Sequence, residues 1–376
     1  MKDCIIVFSA NTENWGAERS VCSMCDALQK KGEKVVVIIP KEGKIINLLK
    51  TIDVDYIVSP FTTWTGEFFN LKRPNWTLKY LYRQYVDARS IIRIVSDRGI
   101  IPKLVYSSII FIGVGIYCAK KWNVPHVHHF RENIDAFGYK FMFGYKRTMS
   151  YISKNTTHII CTCNAIKERY INEIATNKIS VIYNGVPPVA YASPLIYDGN
   201  LKIIQVARYM NDKRITDSLH AVNILVQSNV KNIHLDIYGE GPEEHIYRDY
   251  IKSNKLEEYI TLKGFVQNIP FQKYQVGLMT STYEAFARTT LDYMNNSLAV
   301  IASNSGGNIE QVVDGVTGLL YEVLNPESLA DKIRRLLDEK KILQYGLNGR
   351  HRFLDNFTQD KYQERISSVI LSIINK

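Results

Sequence analysis

A chain of 376 residues, 46% of them hydrophobic and 22% charged, is too long for one growing hydrophobic core and too apolar for a disordered or fibrous protein, so two folded domains are expected. The formal charge of +10 is unevenly placed: residues 1–190 hold 26 Lys and Arg against 15 Asp and Glu, and residues 191–376 hold 21 against 22. The first half is therefore expected to meet something anionic, a phosphorylated acceptor or a membrane surface; no nucleic-acid-binding module accompanies the charge, so nucleic acid is not expected as a partner.

The opening MKDCIIVFSANTENW carries no small-residue cleavage site and reads as a first strand. Further strands are expected near Lys34 to Ile39, Tyr56 to Val58, Leu104 to Tyr106, His126 to His128, His158 to Cys161 and Val181 to Tyr183, with helices between. That alternation implies parallel βαβ units and a doubly wound sheet. The apolar stretch from Leu104 to Ala119 falls short of the ~20 residues a spanning helix needs and contains Ser107, Ser108, Gly113 and Gly115. Asn184-Gly185 followed by Pro187-Pro188 marks a boundary, giving a first domain of residues 1–187. The pattern restarts with strands near Lys202 to Val206, His234 to Tyr238, Ile260 to Leu262, Val276 to Met279 and Ala299 to Ala302, giving a second domain of residues 188–355. Helices near Pro326 to Glu339, Ile342 to Phe353 and Gln359 to Ile374 close the chain; the last, in residues 356–376, is expected to pack back on the first domain. The fold class is α/β, with two Rossmann-like domains expected to face a central cleft where ligands meet the carboxyl ends of the strands.

Six cysteines without paired spacing fit a reducing, cytoplasmic compartment; Cys22 and Cys25 form a CxxC inside an expected helix and read as buried small hydrophobes. Asp53-Val54-Asp55 precedes a strand and reads as a turn-edge pair, so no metal site is expected. Gly16, in NWGAERS, sits where the first strand turns into a helix. VPHVHHFREN brings His128, His129, Arg131 and Glu132 to a strand end. In the second half, Arg208 and Lys213 lie between a strand and a helix, and Gly239, Gly241 and Pro242 form a tight strand-to-helix turn before KGFV, Lys263 to Val266. In Ser281 to Leu320 a strand ends near Met279, Glu284 follows in a loop, a helix is expected from near Phe286, and Asp292 lies two turns along it. Such a helix start is a ready anion site, although on spacing alone the two carboxylates read more readily as surface charges flanking a helix.

The segment Glu284, Phe286 to Asp292 resembles the E-x7-E signature of glycosyltransferase family 4, retaining enzymes of the GT-B architecture. The resemblance continues through Ala299 to Ser303, Gly306-Gly307, Glu310, Asp314-Gly315 and Thr317-Gly318, and covers nearly the whole chain. It departs at Asp292, where the family has Glu, and at Ala287, Ser297 and Arg214, where it usually has Gly. Trp15 stands in for one of two glycines beside Gly16. The resemblance implies that Glu284 touches the donor sugar, that Arg208 and Lys213 clamp its diphosphate, and that the backbone from Ala287 through Arg288 and Thr289 to Thr290 receives the phosphates. Asp292 then takes the ribose position, Phe265 and Val266 neighbour the base, and Phe286, Gly241 and Gly16 belong to the donor site. His129 and Arg131 lie near the reacting centre, with Glu284, as the expected catalytic set.

The implied activity is transfer of a hexose-type sugar from a UDP- or GDP-linked donor to a glycan or polyprenyl-diphosphate-linked acceptor, as in surface polysaccharide synthesis, with no cofactor. A sugar-nucleotide epimerase of the same fold, or a non-catalytic nucleotide-sugar-binding subunit, is the alternative. Two basic, aromatic-rich segments, Trp76 to Arg98 (with Leu78, Lys79, Leu81, Tyr82, Tyr85 and Ile92) and Gly138 to Lys154 (with Phe141, Met142, Phe143 and Tyr151), suggest a peripheral place on the inner face of the cell membrane.

Overall fold

A computed structural model describes residues 3–13, 15–64, 74–136, 138–190 and 197–375. The chain forms two compact units, one of Met1–Asn184 with Gln359–Lys376 and one of Gly185–Thr358. In the first, β1 (Asp3–Phe8), α1 (Gly16–Lys30), β2 (Lys34–Ile39), α2 (Ile45–Thr51), β3 (Asp55–Val58), α3 (Pro74–Asp97), β4 (Ile101–Ser107), α4 (Val114–Trp122), β5 (His126–Phe130), α5 (Tyr145–Asn155), β6 (His158–Cys161), α6 (Asn164–Tyr170) and β7 (Ile179–Val181) alternate. The second runs β8 (Leu201–Val206), α7 (Ile215–Gln227), β9 (Ile233–Tyr238), α8 (Glu244–Ser253), β10 (Ile260–Gly264), β11 (Val276–Met279), α9 (Arg288–Asn295), β12 (Ala299–Ser303), α10 (Asn308–Gln311), β13 (Gly318–Tyr321), α11 (Pro326–Arg335) and α12 (Glu339–Asn356). The chain then returns to the first unit as α13 (Gln359–Ile374).

Both sheets are wholly parallel, in the orders β3-β2-β1-β4-β5-β6-β7 and β10-β9-β8-β11-β12-β13. Helices cover both faces, which is why β2 reads KVVVII and is buried from its second residue onward, with no polar alternation. In unit 1 the core joins Ile5, Val7, Val35, Val37, Leu104 and Tyr106 to Val21 and Leu28 of α1 and to Tyr362, Ile366 and Ile370 of α13. The Tyr362 hydroxyl donates to the Ser20 carbonyl at 3.0 Å, and the Gln363 amide donates to Asp26 at 2.8 Å. Cys22 and Cys25 are buried in α1, and burial pushes the Cys22 thiol up to about 12, which removes its nucleophilic form. Among the described residues no group of His, Cys, Asp and Glu is arranged to hold a metal ion, and no helix is long and apolar enough to cross a membrane.

Four features differ from the sequence expectation. β7 lies two residues earlier than expected, and β13 is an unexpected edge strand, since GLLY follows a turn too closely to stand out as a period. α9 starts at Arg288, so Asp292 is its fifth residue, little more than one turn in. The apolar residues of the two basic segments also point differently. Ala88, Ile91 and Val95 of α3 face the core, while Tyr82 and Tyr85 are exposed; the side chains of Leu78, Lys79 and Leu81 lie outside the described residues. Phe141 is buried edge-on against Trp64, with ring centroids 6.4 Å apart, and is not available for insertion into a lipid surface.

α9 is pinned beneath its sheet by Tyr293, which is fully buried. Its hydroxyl accepts from Val206 N of β8 at 2.8 Å and donates to Leu278 O of β11 at 3.2 Å. The ring lies flat against Gly277, where any Cβ would overlap its carbons. Gly277→Ala is therefore expected to lift α9 away from β8 and β11 at a cost of about 1–3 kcal/mol. Hydrogen exchange read by mass spectrometry should show the α9 and β11 amides exchanging at least about fivefold faster, with those of β1 to β3 unchanged; equal protection in both proteins refutes the pinning role.

Candidate functional site

In an open parallel sheet, ligands bind beyond the carboxyl ends of the strands where the strand order reverses. In unit 2 that point lies between β8 and β11, so the loops that follow these two strands converge there. The loop after β8 carries Arg208, exposed, and Lys213, half-buried; the loop after β11 carries Glu284. The Lys213 ammonium meets Glu284 Oε1 at 2.7 Å and Asp212 Oδ2 at 3.3 Å, and Ser281 Oγ donates to the same Glu284 oxygen at 2.8 Å. Burial alone would lower the Lys213 pKa; the carboxylates of Glu284 and Asp212 more than offset it and hold the ammonium above its ordinary value. The two loops are also tied through their backbones: Thr280 Oγ1 donates to Lys213 O at 2.8 Å, and Thr282 N to Asp212 O at 2.9 Å.

The Glu284 loop is seated on the turn after β12. Gly307 N donates to Glu284 O at 2.7 Å, and Cβ atoms at Gly306 and Gly307 would overlap the carbonyl oxygens of Glu284 and Ala285. Phe286 turns inward, its ring 5.5 Å from that of Phe357. Ala287 caps α9 at φ −71°, ψ 118°, a conformation any residue adopts, so alanine costs nothing there. Its N–H is not open to a ligand: it donates to Gln311 Oε1 at 3.2 Å, while Gln311 Nε2 donates to Ala287 O at 2.7 Å. This corrects the expectation that Ala287 itself offers an N–H to phosphate. The groups that follow, those of Thr289 and Thr290, lie in the first turn of α9, where a helix begins its N–H row. The Thr290 hydroxyl is buried there with no hydrogen-bond partner among the described residues. Arg288 Nη1 donates to Gly185 O at 3.0 Å, and Asp292 is half-buried further along α9.

Arg214 and Ser297, which stand where the family pattern has glycine, both adopt left-handed backbone, φ 48° and 59°. Arg214 is held by an ion pair of 2.7 Å to the buried Asp217. Gly241 lies against the backbone of Tyr209, and Phe265, at the end of β10, is 70% exposed beside a half-buried Val266, an apolar platform at the same edge of the sheet.

Unit 1 gathers a second polar group at its own reversal point, between β1 and β4. Gly16 opens α1, whose Glu18, buried in the first turn, accepts from Trp15 N at 3.2 Å. Burial raises the Glu18 carboxyl above its ordinary range. His129 and Arg131, expected at a strand end, are both buried. Arg131 donates to Ser108 O at 3.1 Å, to Asn184 Oδ1 at 3.1 Å and to His129 Nδ1 at 3.2 Å. Because a guanidinium only donates, His129 Nδ1 is an acceptor and its ring proton sits on Nε2, which has no partner among the described residues. Burial, then the nearby Arg131 charge, holds His129 neutral, and burial brings His128 down to about 4. Glu132 accepts from Ile110 N and Arg131 N, each at 3.3 Å, and burial pushes its carboxyl up to about 7. Asn184 and Gln311 carried no sequence signal: each is one amide among many, and its role depends on partners far away in the chain.

Residues 16–189 match the family described as Glycosyltransferase Family 4, and residues 190–356 that described as Glycosyl transferases group 1. The chain belongs to glycosyltransferase family 4, and its architecture is that of the GT-B glycosyltransferases. It is 28% identical over 292 residues to an uncharacterised glycosyltransferase of Methanocaldococcus jannaschii, 76% of this chain and 78% of that one. It is 26% identical over 251 residues to the UDP-Gal:alpha-D-GlcNAc-diphosphoundecaprenol alpha-1,3-galactosyltransferase of Escherichia coli, 62% of this chain and 65% of that one. Among solved structures, Anabaena Alr3699/HepE in complex with UDP superposes with a TM-score of 0.80 at 16% identity, over 98% of this chain and 100% of that one.

The raised Glu132 carboxyl has a definite pH signature. The folded chain binds this proton more tightly than the unfolded one, so the group's contribution to stability falls as pH climbs from its ordinary value, 4.5, through about 7. Glu132→Gln removes that term, and unit 1 of the variant is expected to gain up to about 2 kcal/mol on the wild type between pH 5 and pH 8. All four tryptophans, at 15, 64, 76 and 122, lie in unit 1, so denaturant titrations read by their fluorescence report it selectively. A difference that stays flat with pH contradicts the assignment.

Proposed function

We propose that the chain transfers a hexose-type sugar from a UDP- or GDP-linked donor to a glycan or polyprenyl-diphosphate-linked acceptor, with retention of configuration and without a metal, in the building of bacterial surface polysaccharide. The observation that carries the reading is the Lys213–Glu284 pair, seated on Gly306 and Gly307 beside the first turn of α9. Breaking the bond from the sugar's C1 to the diphosphate places negative charge on the leaving group, and fixed cations and backbone N–H groups stabilise it in place of a metal ion. Lys213, Arg208 and the N–H groups at the start of α9, of Thr289 and Thr290, take that role; Glu284 binds donor hydroxyls, Asp292 the ribose, and Phe265 with Val266 the base. On the acceptor side, Arg131 fixes the tautomer of the buried His129, and the two form the floor beneath the acceptor. Relatives support the substrate class: the Escherichia coli galactosyltransferase uses UDP-Gal and a diphosphoundecaprenol-linked acceptor, and the Anabaena structure of this fold holds UDP.

Two variants divide the roles. Glu284→Gln should lower turnover about 10²-fold while leaving nucleoside diphosphate affinity within about threefold, as expected for a contact that strengthens as the bond breaks. Lys213→Met should instead weaken the diphosphate by roughly 10- to 150-fold, because a charge-assisted contact contributes roughly 1.5–3 kcal/mol. Calorimetry with UDP and GDP, beside a transfer assay on lipid-linked acceptors, reads both; full activity in Glu284→Gln together with unchanged affinity in Lys213→Met would falsify the donor-site reading.

We further assign unit 1 a peripheral contact with anionic lipid through the exposed side of α5. Lys146, Arg147 and Lys154 line a shallow depression of about 380 Å³ with Ser150, Tyr151 and Asn155, and Lys120 of α4 lies 5.9 Å above the Tyr151 ring. With Phe141 turned into the core, the attraction is chiefly electrostatic, ~1 kcal/mol for each basic residue near the surface. Sedimentation with phosphatidylglycerol vesicles should carry the protein down at low salt, release it as salt rises, and lose it when Lys146, Arg147 and Lys154 become Ser. Protein that stays in the supernatant at low salt rules the contact out.

A further inference from the structure

Gln311, the last residue of α10, is fully buried, yet its carboxamide touches nothing in the chemistry proposed above. Its two hydrogen bonds go to one residue: Oε1 accepts from Ala287 N and Nε2 donates to Ala287 O. A backbone N–H needs an acceptor and a carbonyl needs a donor, so only one orientation of the amide satisfies both, and only a side chain with both functions can replace it. Gln311 is itself anchored, since Arg352 donates to its carbonyl at 2.9 Å and to that of Glu310 at 2.6 Å, and its N–H reaches Gly307 O at 3.1 Å. The turn from Glu284 to Ala287 is thereby held at both ends, by Gly307 at Glu284 and by Gln311 at Ala287.

Resting on the donor-site reading, we propose that Gln311 is a positioning residue for the donor diphosphate. By consuming the Ala287 N–H and fixing the cap of α9, it directs the anion onto the N–H groups of Thr289 and Thr290 at the helix start. The clamp also explains how alanine serves at a cap that keeps ordinary backbone angles: the turn takes its shape from a side-chain template and not from the freedom of glycine.

The test compares each nucleoside diphosphate with its nucleoside in the full-length chain. Gln311→Met keeps the size and removes both hydrogen bonds; Gln311→Glu keeps the shape but faces the Ala287 carbonyl without a donor. In both variants UDP or GDP, whichever the wild type binds, is expected to weaken at least about tenfold in calorimetry, while the matching nucleoside, followed by ligand-observed NMR, stays within about twofold. Diphosphate affinity equal to wild type in either folded variant overturns the proposal. So does a parallel loss of diphosphate and nucleoside, which marks a merely structural role. If the wild type binds neither UDP nor GDP, the donor-site reading itself fails and the positioning role falls with it.

Discussion

The carbonyl oxygens of Glu284 and Ala285 press so closely on the backbone of Gly306 and Gly307 that no side chain fits between them. This is a steric constraint on two main chains, and much of the unit 2 site follows from it. With the turn seated there, Glu284 reaches Lys213, whose own loop is fixed to Thr280 and Thr282, and α9 leaves the turn at an angle set by Gln311 and Tyr293. The ion pair at the centre is thus preorganised by backbone packing: Lys213 keeps its charge because two carboxylates meet it before any ligand does. A cation held charged in a half-buried place is worth more to an incoming diphosphate than one free in water, since neither partner has to be reoriented when charge develops.

Position-specific backbone demands explain why the departures from the family pattern do not disturb the fold. Arg214 and Ser297 sit at left-handed angles that glycine would adopt freely. At Arg214 the cost of roughly 1–2 kcal/mol is met by its ion pair with the buried Asp217. Ala287 needs no such compensation, because its angles are ordinary and its neighbour supplies the template.

What the residues alone revealed follows the same division. Apolar strand runs such as VVVII and the restart of the βαβ pattern after Pro187-Pro188 were readable because a sheet buried on both faces leaves a continuous signal. Lys213 and Glu284 stood out because the segments around them resemble the family's pattern, and the fold places both in loops after strands. Gln311 was not, since its partner is 24 positions away and any polar residue in a short helix looks alike. The histidine-rich strand misled in one respect: β5 is buried along its whole length, so His129 and Arg131 bond to each other in the interior, and His128, on the other face, bonds to the Ile109 carbonyl, instead of presenting themselves at a surface. Periodicity records that a strand is buried, not whether its polar members find one another.

The return of α13 to unit 1 carries a consequence for synthesis. Its Tyr362, Ile366 and Ile370 complete a core whose other residues all precede the second unit, and Tyr362 closes on Ser20. A growing chain therefore translates the whole of unit 2 before the outer face of α1 can be covered. Unit 2, contiguous in sequence, has every strand and helix it needs as soon as Thr358 leaves the ribosome. The order in which the two cores can close is thereby opposite to the order in which their first strands are made, and the apolar side of α1 must stay soluble in the interval.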